Sequence, residues 1–155
     1  MIKYIFSLTI IFSASLCAAQ IQGHVIRVLD GDTLEILQDK KPVRVRLANI
    51  DAPEKKQPFG RWSATQLKDL VAGKPVTVQY AQTDRYGRIL GRVYTADGTE
   101  ANRWQVRNGA AWVYPDYNND YPLPPLQRDA RALKRGLWAD KNPVPPWTWR
   151  KQNKK

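Results

Sequence analysis

The chain has 155 residues, 43% of them hydrophobic, with 25 Lys and Arg against 14 Asp and Glu and a net charge of +11. Its apolar content and six Trp exclude a disordered basic tail, and the length suits a single domain. The charge, with a pI near 10.0, calls for a polyanionic partner: nucleic acid, an anionic membrane surface or an acidic polysaccharide.

In chain order, residues 1–19 read as a cleaved export signal. Lys3 supplies a positive start, Tyr4 to Leu16 an apolar run, and Cys17-Ala18-Ala19 small residues ahead of cleavage before Gln20. A membrane span needs about 20 apolar residues, so no stable membrane anchor is expected after cleavage. The expected address is the periplasm or the medium. The single cysteine, Cys17, falls in the signal, so a mature domain held by an ordinary core, without disulfide or thiolate chemistry, is expected. That domain runs over residues 20–140, followed by a Pro/Trp-rich and basic tail over 141–155.

Ile21 to Leu29 and Thr33 to Leu37 form apolar runs joined at Asp30-Gly31-Asp32, and Asp-Gly predicts a type I′ hairpin turn. Asp39 to Pro42 is a second turn. Val43, Val45 and Leu47 then alternate with Arg44 and Arg46, a third strand expected to run through Ile50 and stop at Asp51-Ala52-Pro53-Glu54. Ala64, Leu67 and Val71 define a helix closed by Gly73. Val76 to Ala81 and Ile89 to Tyr94 are the fourth and fifth strands. A short helix capped by Thr99 follows, and Leu126, Ala130 and Leu133 mark a third, stopped by Gly136. Asn142 to Trp149 reads as extended and packed through its tryptophans, with a disordered tip over 150–155. Five short strands with three helices predict an α+β domain around a five-stranded OB-type β-barrel; an SH3-like barrel or open sheet fits the same pattern.

The chemistry-bearing residues gather at the turns. His24, the only histidine, has no histidine or cysteine partner, which argues against zinc and against a histidine-based triad. Asp30, Asp32 and Asp51 suit a hard, oxygen-seeking cation such as Ca²⁺, with places left for water. Arginines add planar forks that match phosphate oxygens, and Glu54 can accept a proton from water. Metal, base and guanidinium together describe phosphodiester hydrolysis.

IRVLDGDTLEI, VRLANIDAPE, QPFGRWSA, TDRYGRILGRVY and RGLWAD, in this order and spacing, resemble the thermonuclease family of staphylococcal-nuclease-like domains from about Gln22 to Trp138. The resemblance implies an OB-type five-stranded barrel with three helices. It implies that Asp32, Asp51 and the backbone carbonyl of Ala52 hold Ca²⁺, with Asp30 in the outer shell. Ala52 stands where the best-known members have Thr, so a carbonyl ligand survives and a hydroxyl contact does not. Glu54 matches the general base, and Arg46 and Arg88 the pair that hold the scissile phosphate. Arg85 and Tyr86 match contacts to a terminal phosphate of bound nucleotide; Trp112 and Tyr114 match an aromatic pair lining the nucleotide pocket, Trp112 in place of a tyrosine. The loop after Glu54 is shorter than in the best-known members. The implied activity is endonucleolytic cleavage of DNA and RNA leaving 3′-phosphates, by a monomer that prefers single-stranded or frayed substrate. A non-catalytic nucleic-acid-binding module of the same fold would lack one of Asp32, Asp51, Glu54, Arg46 or Arg88, and none is missing. An envelope polyanion binder accounts for the basic surface but not for the carboxylates.

Overall fold

The computed structural model describes residues 18–154. The signal proposed for residues 1–19 therefore lies almost wholly outside the described residues.

Strands β1 (Ala19–Asp30), β2 (Thr33–Gln38) and β3 (Lys41–Leu47) form an antiparallel meander. Strand β5 (Pro75–Thr83) pairs with β1, and β6 (Ile89–Thr95) joins β5 antiparallel and β3 parallel. The result is a closed five-stranded barrel in the order β1-β2-β3-β6-β5. Alternation turns Leu34, Ile36, Val45, Leu47, Val78 and Val93 into the core, each with no exposed surface. The barrel and the α+β class match the expectation from sequence; an open sheet does not.

Four α-helices are present among the described residues, one more than expected. Helix α1 (Gly60–Val71) buries Ser63, Ala64, Leu67 and Val71 against the barrel and ends at Gly73, whose φ of 70° is the left-handed C′ geometry. Helix α2 (Ala101–Arg107) has Glu100, not Thr99, as its N-cap; the Thr99 N–H donates to Asp97 Oδ1 (3.1 Å) in the preceding turn. Helix α3 (Leu123–Ala132) buries Leu123 and Ala130; Leu133 lies at its end, 62% exposed. Helix α4 (Pro146–Gln152) replaces the expected extended segment and disordered tip. Pro146 occupies the first helical turn, where a missing N–H costs nothing, so the two prolines start this helix instead of preventing it.

Two turns differ from expectation in ways that shape the cleft. Asp30 pairs with Thr33 across Gly31-Asp32, and none of these residues has positive φ, so the turn is not type I′. Gly31 is required by packing: a Cβ there would collide with Ser63 Oγ and approach Ala52 Cβ to 2.8 Å. The type I′ signature falls on Asp39 and Lys40 instead, with φ of 46° and 64°. The third strand stops at Leu47, and Asn49, at φ 71°, redirects the chain into a separate two-residue strand, β4 (Ile50–Asp51). That strand pairs with β7 (Trp112–Val113), setting Asp51 opposite Trp112.

Buried amides tie these turns to the helices. Asn102 Nδ2 donates to Ala48 O (2.9 Å) and Gly91 O (3.0 Å), and its Oδ1 accepts from Val93 N–H (3.1 Å). Gln105 Nε2 donates to Gly31 O (2.7 Å) and Ser63 O (3.1 Å). Asn102→Ala would remove three hydrogen bonds to backbone groups at once, and a loss of roughly 2–4 kcal/mol is expected from urea denaturation. A loss under about 0.5 kcal/mol, the usual range for neutral surface changes, would contradict this role.

Candidate active site

A cleft of roughly 1040 Å³ opens at the barrel mouth between the β1–β2 turn, the β3–β4 junction, the β5–β6 loop and the C-terminal helix. Asp30, Asp32, Arg46, Asp51, Ala52, Glu54, Arg85, Tyr86, Arg88 and Tyr114 all line it. Trp112 does not.

Asp32 is buried at the tip of the first hairpin. Its Oδ2 accepts the Ala52 N–H (2.7 Å), and its Oδ1 accepts the Thr33 hydroxyl (2.9 Å). Burial pushes its carboxyl up, but Arg46, Asp30 and these donors outweigh that and hold it below the ordinary range. Asp30 Oδ1 accepts the Asp32 N–H (3.0 Å); burial first, and the Asp32 charge second, push Asp30 up to about 7. Asp51 is 1% exposed, and burial raises its carboxyl despite the hydrogen bond from Arg150.

Arg46 lies between the two buried aspartates, its Nη2 3.3 Å from Asp32 Oδ2 and 3.4 Å from Asp51 Oδ1. Its Nη1 donates to Leu47 O (2.6 Å) and Ile50 O (2.9 Å), so the same guanidinium spans the β3–β4 break. Arg88 is oriented by Asp84, whose Oδ2 takes its Nε–H at 2.7 Å. Asp84 Oδ1 accepts the backbone N–H groups of Tyr86 (2.9 Å) and Arg88 (3.0 Å), folding the loop back on itself. Arg85 and Arg88 lie 4.9 and 5.5 Å from the exposed Tyr86 ring, which places two cations beside one aromatic face.

Glu54 follows Pro53 on the cleft rim, its side chain 42% exposed. The loop behind it is fastened by Gln57, whose Oε1 accepts the Glu54 N–H (3.1 Å) and whose Nε2 donates to Val144 O (2.6 Å). Gly60 lets α1 begin against the Glu54 carbonyl, where any Cβ would clash. The short loop is thus braced on both sides.

The expected aromatic pair divides. Tyr114 faces the cleft, edge-on to Tyr117 (4.7 Å) and stacked on Trp147 at 5.3 Å and 9°. Trp112 is buried (8% exposed) in a second core with Trp138 and Leu137. Adjacent strand residues point to opposite faces, so Trp112 and Tyr114 should share a side; the two-residue β7 ends at Val113 and the chain turns before Tyr114.

Arg150, on α4, is the site residue that the sequence reading did not anticipate. Its Nη1 donates to Asp51 Oδ1 (3.1 Å) and Glu54 Oε1 (2.8 Å), and its Nη2 to Asp51 Oδ2 (2.7 Å). The signal was available: Trp147 and Arg150 are three apart, one helical face, behind a proline pair.

The fold and cleft define an OB-type barrel with paired acids and multiple arginines facing one groove. A family profile described as "Staphylococcal nuclease homologue" matches residues 44–140. An "Uncharacterized endonuclease" from Escherichia coli is 61% identical over 148 residues, covering 96% of this chain and 97% of the relative. A "Micrococcal nuclease" from Shigella flexneri is 40% identical over 146 residues, 88% of this chain and 84% of the relative. A Haemophilus influenzae "Uncharacterized endonuclease" is 42% identical over 151 residues, 96% and 84% respectively. The chain belongs to the staphylococcal nuclease family and is a nuclease, a hydrolase acting on phosphodiester bonds.

The loop that carries Tyr117 is held by charge. Asp120 takes Arg103 in a two-pronged pair (2.8 and 3.0 Å), while Asn119 N–H donates to Asn49 Oδ1 (3.0 Å). Arg103 holds the Asp120 carboxyl below its ordinary range. A depressed folded pKa gives stability that is present above the unfolded pKa and lost as pH falls through the folded one. In urea denaturation, the gap between wild type and Asp120→Asn is expected to stay open from pH 7 to about 4 and to close below it. A gap independent of pH would contradict an ionised Asp120.

Proposed function

We propose that this nuclease is a Ca²⁺-dependent endonuclease that hydrolyses DNA and RNA with little sequence preference, leaving 3′-phosphate ends. The observation that carries the reading is the pair of buried carboxylates, Asp32 and Asp51, bracketing Arg46 in the cleft that Arg88 also lines.

The donor chemistry fits a hard cation. Asp32, Asp51 and Asp30 supply oxygen donors to the cleft, and among the described residues neither histidine nor cysteine lines it. Asp32, Asp51 and the Ala52 carbonyl would hold Ca²⁺, with Asp30 in the outer shell and water completing the set. The bound ion would supply positive charge for the phosphate oxygens and polarise water.

The protein's own side chains do the rest. Glu54 accepts the proton of the water that attacks phosphorus opposite the departing 5′-oxygen. Arg88 offers N–H donors to the phosphate oxygens as negative charge builds in the five-coordinate transition state, and Arg46, its Nη1 kept by Leu47 O and Ile50 O, offers its Nη2 side. Asp84 keeps Arg88 aimed, so its fork is ordered before substrate arrives. Arg85 and Tyr86 take a neighbouring phosphate, and Tyr114 offers a stacking face for a splayed base, which favours single-stranded or frayed substrate. The chain acts as a monomer, exported to the periplasm or medium, where its strongly positive net charge draws in polyanions.

Digestion of denatured DNA and RNA with Ca²⁺, then with excess EGTA, tests this directly. Cleavage with Ca²⁺ and none with EGTA is expected; intact substrate under both conditions, or equal cleavage in both, overturns the proposal. Arg88→Lys keeps charge but not the fork, and a fall in kcat of about 10²–10³ is expected. Glu54→Gln should likewise lose turnover by orders of magnitude while nucleotide affinity persists. Near-wild-type rates would remove either residue from its role.

A further inference from the structure

Arg150 makes contacts that the phosphate-holding roles of Arg46 and Arg88 do not account for. Its guanidinium grips both oxygens of Asp51 (2.7 and 3.1 Å) and reaches Glu54 at 2.8 Å. These are a proposed metal ligand and the proposed base. The fork is bidentate and charge-assisted, the strongest class of side-chain hydrogen bond. Its placement is anchored, because α4 is pinned by Trp147, stacked on Tyr114 and edge-on to Trp112 at 5.7 Å, and by the Gln57–Val144 bond.

Asp51 is buried and within reach of two guanidinium groups, Arg46 and Arg150. Arg46 is committed to the carbonyls of Leu47 and Ile50, so it cannot leave without opening the β3–β4 junction. Arg150 has no such ties: its polar contacts among the described residues are Asp51 and Glu54 alone, and its side chain is 39% exposed at the end of a long flexible stem. A divalent cation brought to Asp51 would meet a like charge on the same two oxygens, and the group able to withdraw is Arg150.

We propose that Arg150 is a further residue of the metal site: a tethered cation that holds Asp51 and Glu54 in the metal-free enzyme and is exchanged for the divalent ion. The inference rests on the Ca²⁺ reading above. While in place, Arg150 balances the charge of a buried carboxylate that would otherwise be costly to keep ionised, so the site is shaped before the ion arrives. Its departure also frees Glu54 Oε1, the oxygen that accepts the Arg150 N–H. Exchange needs only rotation of the arginine stem, with α4 left seated by Trp147.

A competitor that occupies the site in nine molecules of ten weakens apparent affinity about tenfold. Titration calorimetry of CaCl₂ into the purified chain at fixed ionic strength, without substrate, therefore separates the outcomes. Arg150→Gln is expected to bind Ca²⁺ about tenfold more tightly than wild type. Arg150→Lys, which keeps the charge and stem without the fork, should fall between. Lys151→Gln, an equal charge change at the exposed neighbouring position, should stay within about twofold, since exposed charges are screened over roughly 8–10 Å. Thermal unfolding gives a second readout: Arg150→Gln should melt lower than wild type without Ca²⁺ and gain a larger upward shift on its addition. Equal or weaker Ca²⁺ binding by Arg150→Gln, or equal tightening by Lys151→Gln, overturns the exchange and leaves the calcium site standing. No Ca²⁺ binding by any of the chains strikes the calcium reading itself, and the exchange with it.

Discussion

Two carboxylates, Asp32 and Asp51, are almost fully buried at the mouth of a barrel, and that is tolerable only with positive charge placed against them. Arg46 meets this demand from inside the fold. It touches both acids and ties off the carbonyls on either side of the strand break, so one side chain neutralises the site and fixes its backbone. The remaining architecture keeps these three residues in register. The β4–β7 pair holds Asp51, the Ala52 N–H holds Asp32, and Asn102 and Gln105 bind the adjoining turns to α2.

The second wall is organised separately. Asp84 folds the β5–β6 loop around its own carboxylate and presents Arg88, with Arg85 and Tyr86 exposed beside it. Buried acids face a loop of cations across the cleft. Under the proposed reading, the acids hold the ion and Asp84 presents an already ordered Arg88 to the phosphate. The C-terminal helix supplies a third wall, bringing Trp147 to the Tyr114 ring and Arg150 to the acids.

The barrel strands were legible because their residues alternate cleanly, and Gly73 because only a left-handed residue can close α1 there. The placement of Asp30, Asp32, Asp51, Glu54, Arg46 and Arg88 on one cleft was legible through the family pattern, not through periodicity. Three features escaped. The break at Ala48-Asn49 is invisible because Asn49 takes its positive φ only with tertiary partners: its carbonyl accepts Tyr114 N–H and its side chain accepts Asn119 N–H. Trp112, matched to a pocket aromatic by the resemblance alone, is instead buried with Trp138 and Leu137, because β7 ends at Val113 and only Tyr114 reaches the cleft. Helix α4 was missed because Pro-rich composition was weighed over proline's position, which is the first turn of the helix. With it went Arg150, whose importance lies in contacts 96 and 99 residues away in sequence.

Under the proposed reading, the buried acids are built to hold a divalent cation, and arginine charge stands in for it until then. A crystal structure with Ca²⁺ and a nucleoside 3′,5′-bisphosphate bound tests it most directly. Ca²⁺ is expected at about 2.3–2.6 Å from carboxylate oxygens of Asp32 and Asp51, with the Arg150 fork withdrawn from Asp51 and Arg46 still on the Leu47 and Ile50 carbonyls. Calcium bound elsewhere in the cleft, or Arg150 still gripping both oxygens of Asp51 beside the ion, would contradict it.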